Sequence, residues 1–506
     1  MKRQLLFYSF IWVGLINAQA QSGASRTNAE TIDKFVSSVV SEISEIPGLA
    51  ISVTQGEKVV LSKGYGFYDM DQRKKATSLS VYYIASATKQ FVGLLAAQLH
   101  IEEVLKIDEP ITQYAPIKNF KDKSRFENIT ISDLLAHTSG IYNRFLGFQL
   151  ALGGEYKQSD LIRILEQETH SLGNRKSFRY DNLGYNIFEI ILKEETGNTW
   201  KQHVQERYFK PMKMQRSSSS ILTAEKNAWE IALPYLSTNS ERKPKQITTQ
   251  KNDETLHAAG GLLMSADDAS KWLIMNMNKG FFEGKQIIDP KAFDLAHSIL
   301  VSNIGRGIFR YLGSDTGYGM GIINAKYGDF NALYHNGDFD GYNAHFSFLP
   351  AEKIGISIFA NEDRVGDDVS QLIVHFIYDL MLEHIDNVEE YIKEEVNKLK
   401  TRLNRIQLSI SQNIKEKRQR NWNLTHDITS YQGEFYNENR ANMNITLDKG
   451  IPQFTMGIMK AKGIPNVEKD TFSVEFQVGK EEDVLFVFNK KKVIAVVYNG
   501  DVFYRR

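Results

Sequence analysis

The chain has 506 residues, of which 42% are hydrophobic and 11% aromatic. That is enough material for one large buried core and a smaller one. Lys and Arg together number 61, as do Asp and Glu, so no net field recruits nucleic acid or an anionic membrane. Cys is absent, which excludes disulfides, a lipid-anchored cysteine and thiol catalysis.

Lys2 and Arg3, the apolar run Leu5 to Ile16, and Ala18-Gln19-Ala20 have the three parts of a secretory signal peptide, residues 1–20, cleaved after Ala20. The apolar run is short for a membrane span, which needs about 20 residues. No later run is long and apolar enough to cross a bilayer. The mature chain is therefore expected to be soluble and exported, either periplasmic or secreted.

Ile32, Phe35, Val36, Val39, Val40 and Ile43 recur at helical spacing, and Pro47-Gly48 ends that helix. Ala50 to Thr54 and Lys58 to Leu61 read as two antiparallel strands. From Ser86 to about Ser217 the pattern is mostly helical, with starts marked by Thr130 (Asp133 three residues on) and by Thr199. Strands return at Tyr318 to Ile323, Phe330 to His335, Ala344 to Leu349 and Ile354 to Ala360, and the amphipathic helix Val369 to Met381 follows. This order predicts an α+β domain whose sheet is built from both ends, with a helical subdomain inserted between them. From about Ile385 a Lys- and Arg-rich helix continues through Val388, Tyr391, Val396, Leu399 and Leu403, and the run Lys415-Glu416-Lys417-Arg418 is read as its solvated face. Short β-type runs fill Tyr431 to the end and predict a small all-β module. The expected organisation is residues 28–384, a helical linker 385–424, and a β domain 425–506.

Three short constellations carry chemistry. Ser86-Ala87-Thr88-Lys89 opens an apolar helix containing Val92, Leu94, Leu95 and Leu99. A Ser in the first turn meets free N–H groups and the positive dipole end. A Lys three residues on shares its face and, once desolvated, can accept the hydroxyl proton. Ser240-Glu241-Arg242-Lys243 also fits Ser-x-x-Lys but has no apolar helix behind it. Tyr180-Asp181-Asn182 precedes the apolar helix Ile187 to Leu192. Its phenol, drawn towards phenolate by an ammonium, can relay a proton, and Asn182 can donate its amide to a substrate carbonyl. Alternatively Tyr180 is a surface residue and Asn182 a helix cap. His335-Asn336-Gly337-Asp338 ends a strand: either a hairpin turn, or an edge where Gly337 admits a substrate backbone and the next N–H joins that of Ser86 as an oxyanion hole.

Together these stretches resemble the serine β-lactamase and penicillin-binding-protein superfamily, in its class C and DD-peptidase branch, over roughly Asn28 to His384. Leu134-Leu135-Ala136-His137-Thr138-Ser139-Gly140-Ile141 and Ala259-Gly260-Gly261-Leu262 extend the likeness in the family's order. The resemblance implies a β-lactamase/transpeptidase-like sheet flanked by helices, with a lipocalin-like C-terminal β domain. It implies that Ser86 is acylated, Lys89 is its base, Tyr180 shuttles the proton and Asn182 contacts substrate and Lys89. His335, Asn336 and Gly337 would stand where the family has Lys-Thr-Gly or His-x-Gly, with the Asp338 N–H in the oxyanion hole. The Asp338 side chain either points away or favours a cationic substrate end such as a free amine. His335 in place of Lys is a poorer fixed charge for a β-lactam carboxylate.

The expected activity is hydrolysis of an amide or ester through an acyl-enzyme. The substrate would be a small molecule or peptide, with a D-amino-acid-containing peptide or cell-wall fragment first. A carboxylesterase, a β-lactamase and a catalytically weak peptide- or cell-wall-binding protein are the alternatives. No metal or organic cofactor is implied, because the sequence has no His-Glu-x-x-His helix, P-loop or dinucleotide fingerprint. The sequence leaves the oligomeric state open.

Overall fold

The computed structural model describes residues 27–506 except 155, 169–175, 238–242, 248–250, 303, 305–312 and 478–479. The expected signal peptide and most of Ser240 to Lys243 lie outside the described residues.

The chain starts with a helix, α1 (residues 27–42), whose Ile32, Phe35, Val36 and Val39 are fully buried. It leads into the hairpin β1 (Gly48–Gln55) and β2 (Lys58–Asp69), extended by β3 (Lys74–Lys75). The chain returns to this sheet through β4 (Val301–Ser302), β5 (Ser314–Tyr318), β6 (Ile323–Tyr327), β7 (Phe330–Phe339), β8 (Tyr342–Leu349) and β9 (Ile354–Ala360). The order across the sheet is β4-β5-β6-β7-β8-β9-β1-β2-β3. The antiparallel pairing of β9 with β1, from Leu49↔Ala360 to Gln55↔Ile354, joins the two ends of this domain as the element order predicts.

Every residue of β9 is buried, so both faces of the sheet are covered at this strand. Ile354, Ile356, Ile358 and Ala360 face α1 and the helix α8 (Arg364–Met381), where Phe35 stacks on Phe376 at 3.8 Å. On the other face, Phe359 joins the larger core with α2 (Lys89–Ile101) and α7 (Ala266–Met277). Two residues on one strand thus serve two cores, as the period of two requires.

The insertion carries α3 (Ile131–Leu135), α4 (Arg144–Gly153), α5 (Gln158–Glu168) and α6 (Leu183–Thr196). The Thr130 cap has the expected reciprocal box: Asp133 N–H donates to Thr130 Oγ1 and Thr130 N–H to Asp133 Oδ2, at 3.1 and 3.2 Å. Thr199 forms the same box with Gln202. Gly184 lets α6 lie on α3, since a Cβ there would meet Leu134 O at 2.3 Å.

A long helix, α9 (Val388–Arg418), packs Val396, Leu399 and Leu403 against the main domain. Lys417, expected on a solvated face, instead pairs with Glu475 and Glu481. Beyond α9, nine described strands from Gly433–Tyr436 to Asp501–Arg505 form one antiparallel sheet. Its two edge strands, Met459–Lys462 and Ile464–Pro465, are separated only by Gly463, so the sheet nearly closes on itself. Its interior is filled by Phe435, Phe454, Phe472, Phe486, Tyr498 and Phe503.

This barrel seats on α4. Ile458 N–H donates to Leu152 O at 3.0 Å, and Leu152 itself belongs to the barrel core. At Gly457, with φ +58°, a Cβ would lie 2.2 Å from Gly153 O.

Candidate active site

The strand Val81–Tyr83 ends in a tight 3-10 turn, Ala85–Thr88, and α2 continues from it at Lys89. The sequence predicts Ser86 in the first α-turn; the turn is tighter because Ala85 adopts φ +45°, a sparsely populated conformation for a non-glycine residue. That turn leaves Ser86 partly exposed between buried neighbours.

Lys89 is wholly buried. Its Nζ lies 3.0 Å from Ser86 Oγ, 2.9 Å from Asn182 Oδ1 and 2.5 Å from Ala259 O. Burial lowers its ammonium to about 7, opposed by the Asp181 carboxylate. Asn182 Oδ1 and Ala259 O can only accept. In the neutral amine two N–H bonds therefore stay on them, and the lone pair is left for the Ser86 hydroxyl. The carbonyl that completes this set lies 170 residues along the chain, in the Ala259-Gly260-Gly261 stretch. Gly260 brings that stretch against the turn carrying Ser86, where a Cβ would sit 3.2 Å from the Ala85 carbonyl carbon.

Tyr180 hydrogen-bonds Ser86, and the Lys89 ammonium lies 5.0 Å from its ring centre. The expected drift towards phenolate does not occur. Burial raises the phenol above its ordinary value, the Asp338 and Asp181 carboxylates add to that, and the Ser86 hydrogen bond only partly offsets it.

His137, φ +60°, holds this strand of residues in place. Its ring lies 4.4 Å from that of Tyr180, its Nδ1 accepts Asp181 N–H at 3.2 Å, and its carbonyl takes Arg179 N–H at 2.8 Å. Asn182 does not cap α6 with its side chain; Asp181 Oδ1 takes the Leu183 N–H at 2.7 Å instead, which frees Asn182 for Lys89.

His335-Asn336-Gly337-Asp338 lies within β7 and pairs with β8 from His335↔Phe346 to Asp338↔Asn343, rather than forming the turn. Gly337 presses on the turn carrying Ser86: a Cβ would be 2.0 Å from Ile84 O and 2.9 Å from Ala87 N. His335 is buried, with Nδ1 on Asn336 O at 2.6 Å and Nε2 on Tyr318 Oη at 3.0 Å. Burial, aided by the Lys89 charge, lowers it to about 3, so it is neutral.

Asn336 is buried with its Oδ1 2.7 Å from His345 Nδ1, and the chain of bonds runs on through Ser347 to Tyr378. Its side-chain oxygen thus serves the interior of the fold. Asp338 sits on the exposed lip of β7 and accepts from Asn343 Nδ2 at 2.7 Å.

A pocket of about 70 Å³ lies over Ser86, with Asn182 and Asp338 in its wall. Gly147 and Ala151 of α4, the helix that carries the barrel, also line it. Sequence reasoning missed three further lining residues, Lys251, His257 and Phe339. Lys251 Nζ lies 4.4 Å from the Phe339 ring centre and donates to Ala151 O; burial lowers it to about 7, opposed by Asp340. His257 pairs with Glu189 at 2.7 Å. A carboxylate inside the apolar run Ile187 to Leu192 was the signal available, because such a group needs a partner. Among the described residues, no group of three or more His, Asp or Glu side chains is arranged to hold a metal. No helix among them is long and apolar enough to cross a membrane.

The chain has relatives of known sequence and structure. Protein flp of Staphylococcus aureus (strain MW2) is 24% identical over 352 residues, covering 65% of this chain and 62% of its own length. The chain thus spans less than two thirds of that relative. The octameric penicillin-binding protein homologue from Pyrococcus abyssi superposes with a TM-score of 0.60 at 20% identity, over 94% of this chain and 99% of its own. The D-amino acid amidase from Ochrobactrum anthropi SV3, complexed with L-phenylalanine, gives a TM-score of 0.57 at 16% identity, over 70% and 99%. These likenesses establish the β-lactamase/transpeptidase-like fold. The profile of the Beta-lactamase family matches residues 36–375, two thirds of the chain, and with the fold this shows that the protein belongs to the beta-lactamase family, within the serine β-lactamase and penicillin-binding-protein superfamily.

Proposed function

We propose that this protein is an exported serine hydrolase that cleaves an amide or ester through an acyl-enzyme on Ser86. The observation that carries the reading is the wholly buried Lys89 amine, 3.0 Å from Ser86 Oγ and lowered to about 7. A neutral amine there removes the hydroxyl proton as Oγ attacks the substrate carbonyl. Tyr180, hydrogen-bonded to Ser86 and kept as a phenol, passes a proton to the leaving group. Asn182 holds Lys89 and meets the substrate, and the N–H groups of Ser86 and Asp338 receive the developing oxyanion. Gly337 sets the spacing between those two N–H groups by packing β7 onto the nucleophile turn.

The substrate we favour is a D-amino-acid-containing peptide or cell-wall fragment. The fold likeness to a D-amino acid amidase supports that class. The neutral, committed His335 offers no fixed charge to a β-lactam carboxylate, which ranks a β-lactamase below a peptidase or esterase. The test is a panel of a D-alanine amide, its L-isomer, a D-Ala-D-Ala peptide, p-nitrophenyl acetate and a chromogenic cephalosporin, given to the native protein and to Ser86→Ala. Turnover that favours D over L and vanishes in Ser86→Ala is expected. Native-rate turnover by Ser86→Ala, or none by the native protein on any member, overturns the reading.

A further inference from the structure

We propose that His257, held by Glu189, is the base that activates water to resolve the acyl-enzyme. The inference rests on the acyl-serine reading above. His257 lines the same pocket as Ser86 and stands two residues before Ala259, whose carbonyl holds the Lys89 amine. Its Nδ1 lies 2.7 Å from Glu189 Oε1, and the other oxygen of that carboxylate takes the Ala258 N–H at 2.6 Å. Both side chains are largely shielded, at 15% and 11% exposure. A carboxylate only accepts, so Nδ1 carries the hydrogen of the neutral ring and Nε2 the lone pair. Among the described residues Nε2 has no hydrogen-bond partner, and it is not among the buried unpaired atoms. An imidazole oriented by a carboxylate, with its other nitrogen unpartnered among the described residues and its ring in the wall of the pocket over Ser86, has the makings of a general base.

The groups that serve acylation are poorly placed to repeat the task on water. Lys89 spends two N–H bonds on Asn182 and Ala259 and directs its remaining position at Ser86 Oγ, which is the ester oxygen once the acyl group is attached. Tyr180 holds its proton more tightly than a free phenol. In the resolving step, Nε2 takes a proton from water as the water oxygen bonds to the acyl carbon and the carbonyl pair moves to oxygen. The C–Oγ bond then breaks, Ser86 Oγ takes the proton from the imidazolium, and the acid leaves.

Stopped-flow hydrolysis of p-nitrophenyl acetate separates the two half-reactions, since phenolate release in the burst reports acylation and the steady state reports resolution. His257→Ala is expected to keep the burst while its steady-state rate falls about 100-fold, the size of a general-base contribution. Its acetyl-enzyme should persist by intact mass, and added imidazole should shorten the lifetime of the isolated adduct. Glu189→Gln should fall in the same direction by less. An acetyl-enzyme lifetime in His257→Ala equal to the native one overturns the proposal, as does a longer lifetime that imidazole leaves unmoved. Ester turnover by Ser86→Ala at the native rate overturns the acyl-serine reading itself, a separate outcome.

Discussion

Lys89 Nζ and Ser86 Oγ lie 3.0 Å apart, with the amine sealed from water and its two other bonds fixed on acceptor-only oxygens. The direction of the lone pair in the neutral amine is therefore set by the fold, and the consequences can be measured.

Replacing Lys89 by Met removes the base and leaves the packing volume. Acylation should fall about 10²–10⁴-fold while the circular dichroism spectrum stays near native. Lys89→Arg should fall as far, because a guanidinium does not deprotonate in this range. Acylation of Lys89→Arg at the native rate would remove Lys89 from the base role.

The pH dependence has a defined sign. The reactive form is the neutral amine, and burial lowers Lys89 to about 7, so the fraction in that form rises as pH climbs through that value. Acylation rate should increase from about pH 6 to 8 and level off above. A rate that is flat, or that falls over this interval, would show that the ammonium is not titrating.

Gly337 fixes how closely β7 approaches the turn carrying Ser86. Gly337→Ala places a Cβ 2.0 Å from Ile84 O, against backbone that has little room to give. Overpacking of this kind costs about 1–3 kcal/mol, which should appear as a melting temperature several degrees lower, with acylation slowed in parallel.

Asp338 Oδ1, on the lip of β7, accepts from Asn343 of β8, and the proposed mechanism uses the Asp338 backbone N–H. Asp338→Ala should change kcat/KM for free-amine peptides and for simple esters by the same factor, within about twofold. A selective loss on the free-amine peptides would show instead that the carboxylate reaches the substrate.

Much of this was legible in the residues because it is local. The Ser86–Lys89 spacing, the Thr130–Asp133 cap and the alternation of Ile354, Ile356 and Ile358 all act within a few positions. The rest depends on segments brought together across long separations. Ala259 O reaches Lys89 from 170 residues away, and His257 meets Glu189 across 68. Neither has a periodic pattern to announce it. The phenol of Tyr180 is raised, against expectation, because enclosure and two nearby carboxylates outweigh its Ser86 hydrogen bond, a balance no spacing reveals. The partner of Asn336, His345, lies across the strand pair, visible only once the register is known. The seating of the barrel on α4 depends on Gly457 meeting Gly153, a contact without any side chain to signal it.

The most direct test of the acyl-serine chemistry is intact-protein mass over time with a D-alanyl thioester and, separately, a penicillin, for native protein beside Ser86→Ala, with the adduct located by peptide mapping. A transient adduct on the peptide carrying Ser86, absent from Ser86→Ala, is the predicted result. Turnover of the thioester with no adduct on Ser86 under rapid quench, or an equal adduct on Ser86→Ala, would contradict it.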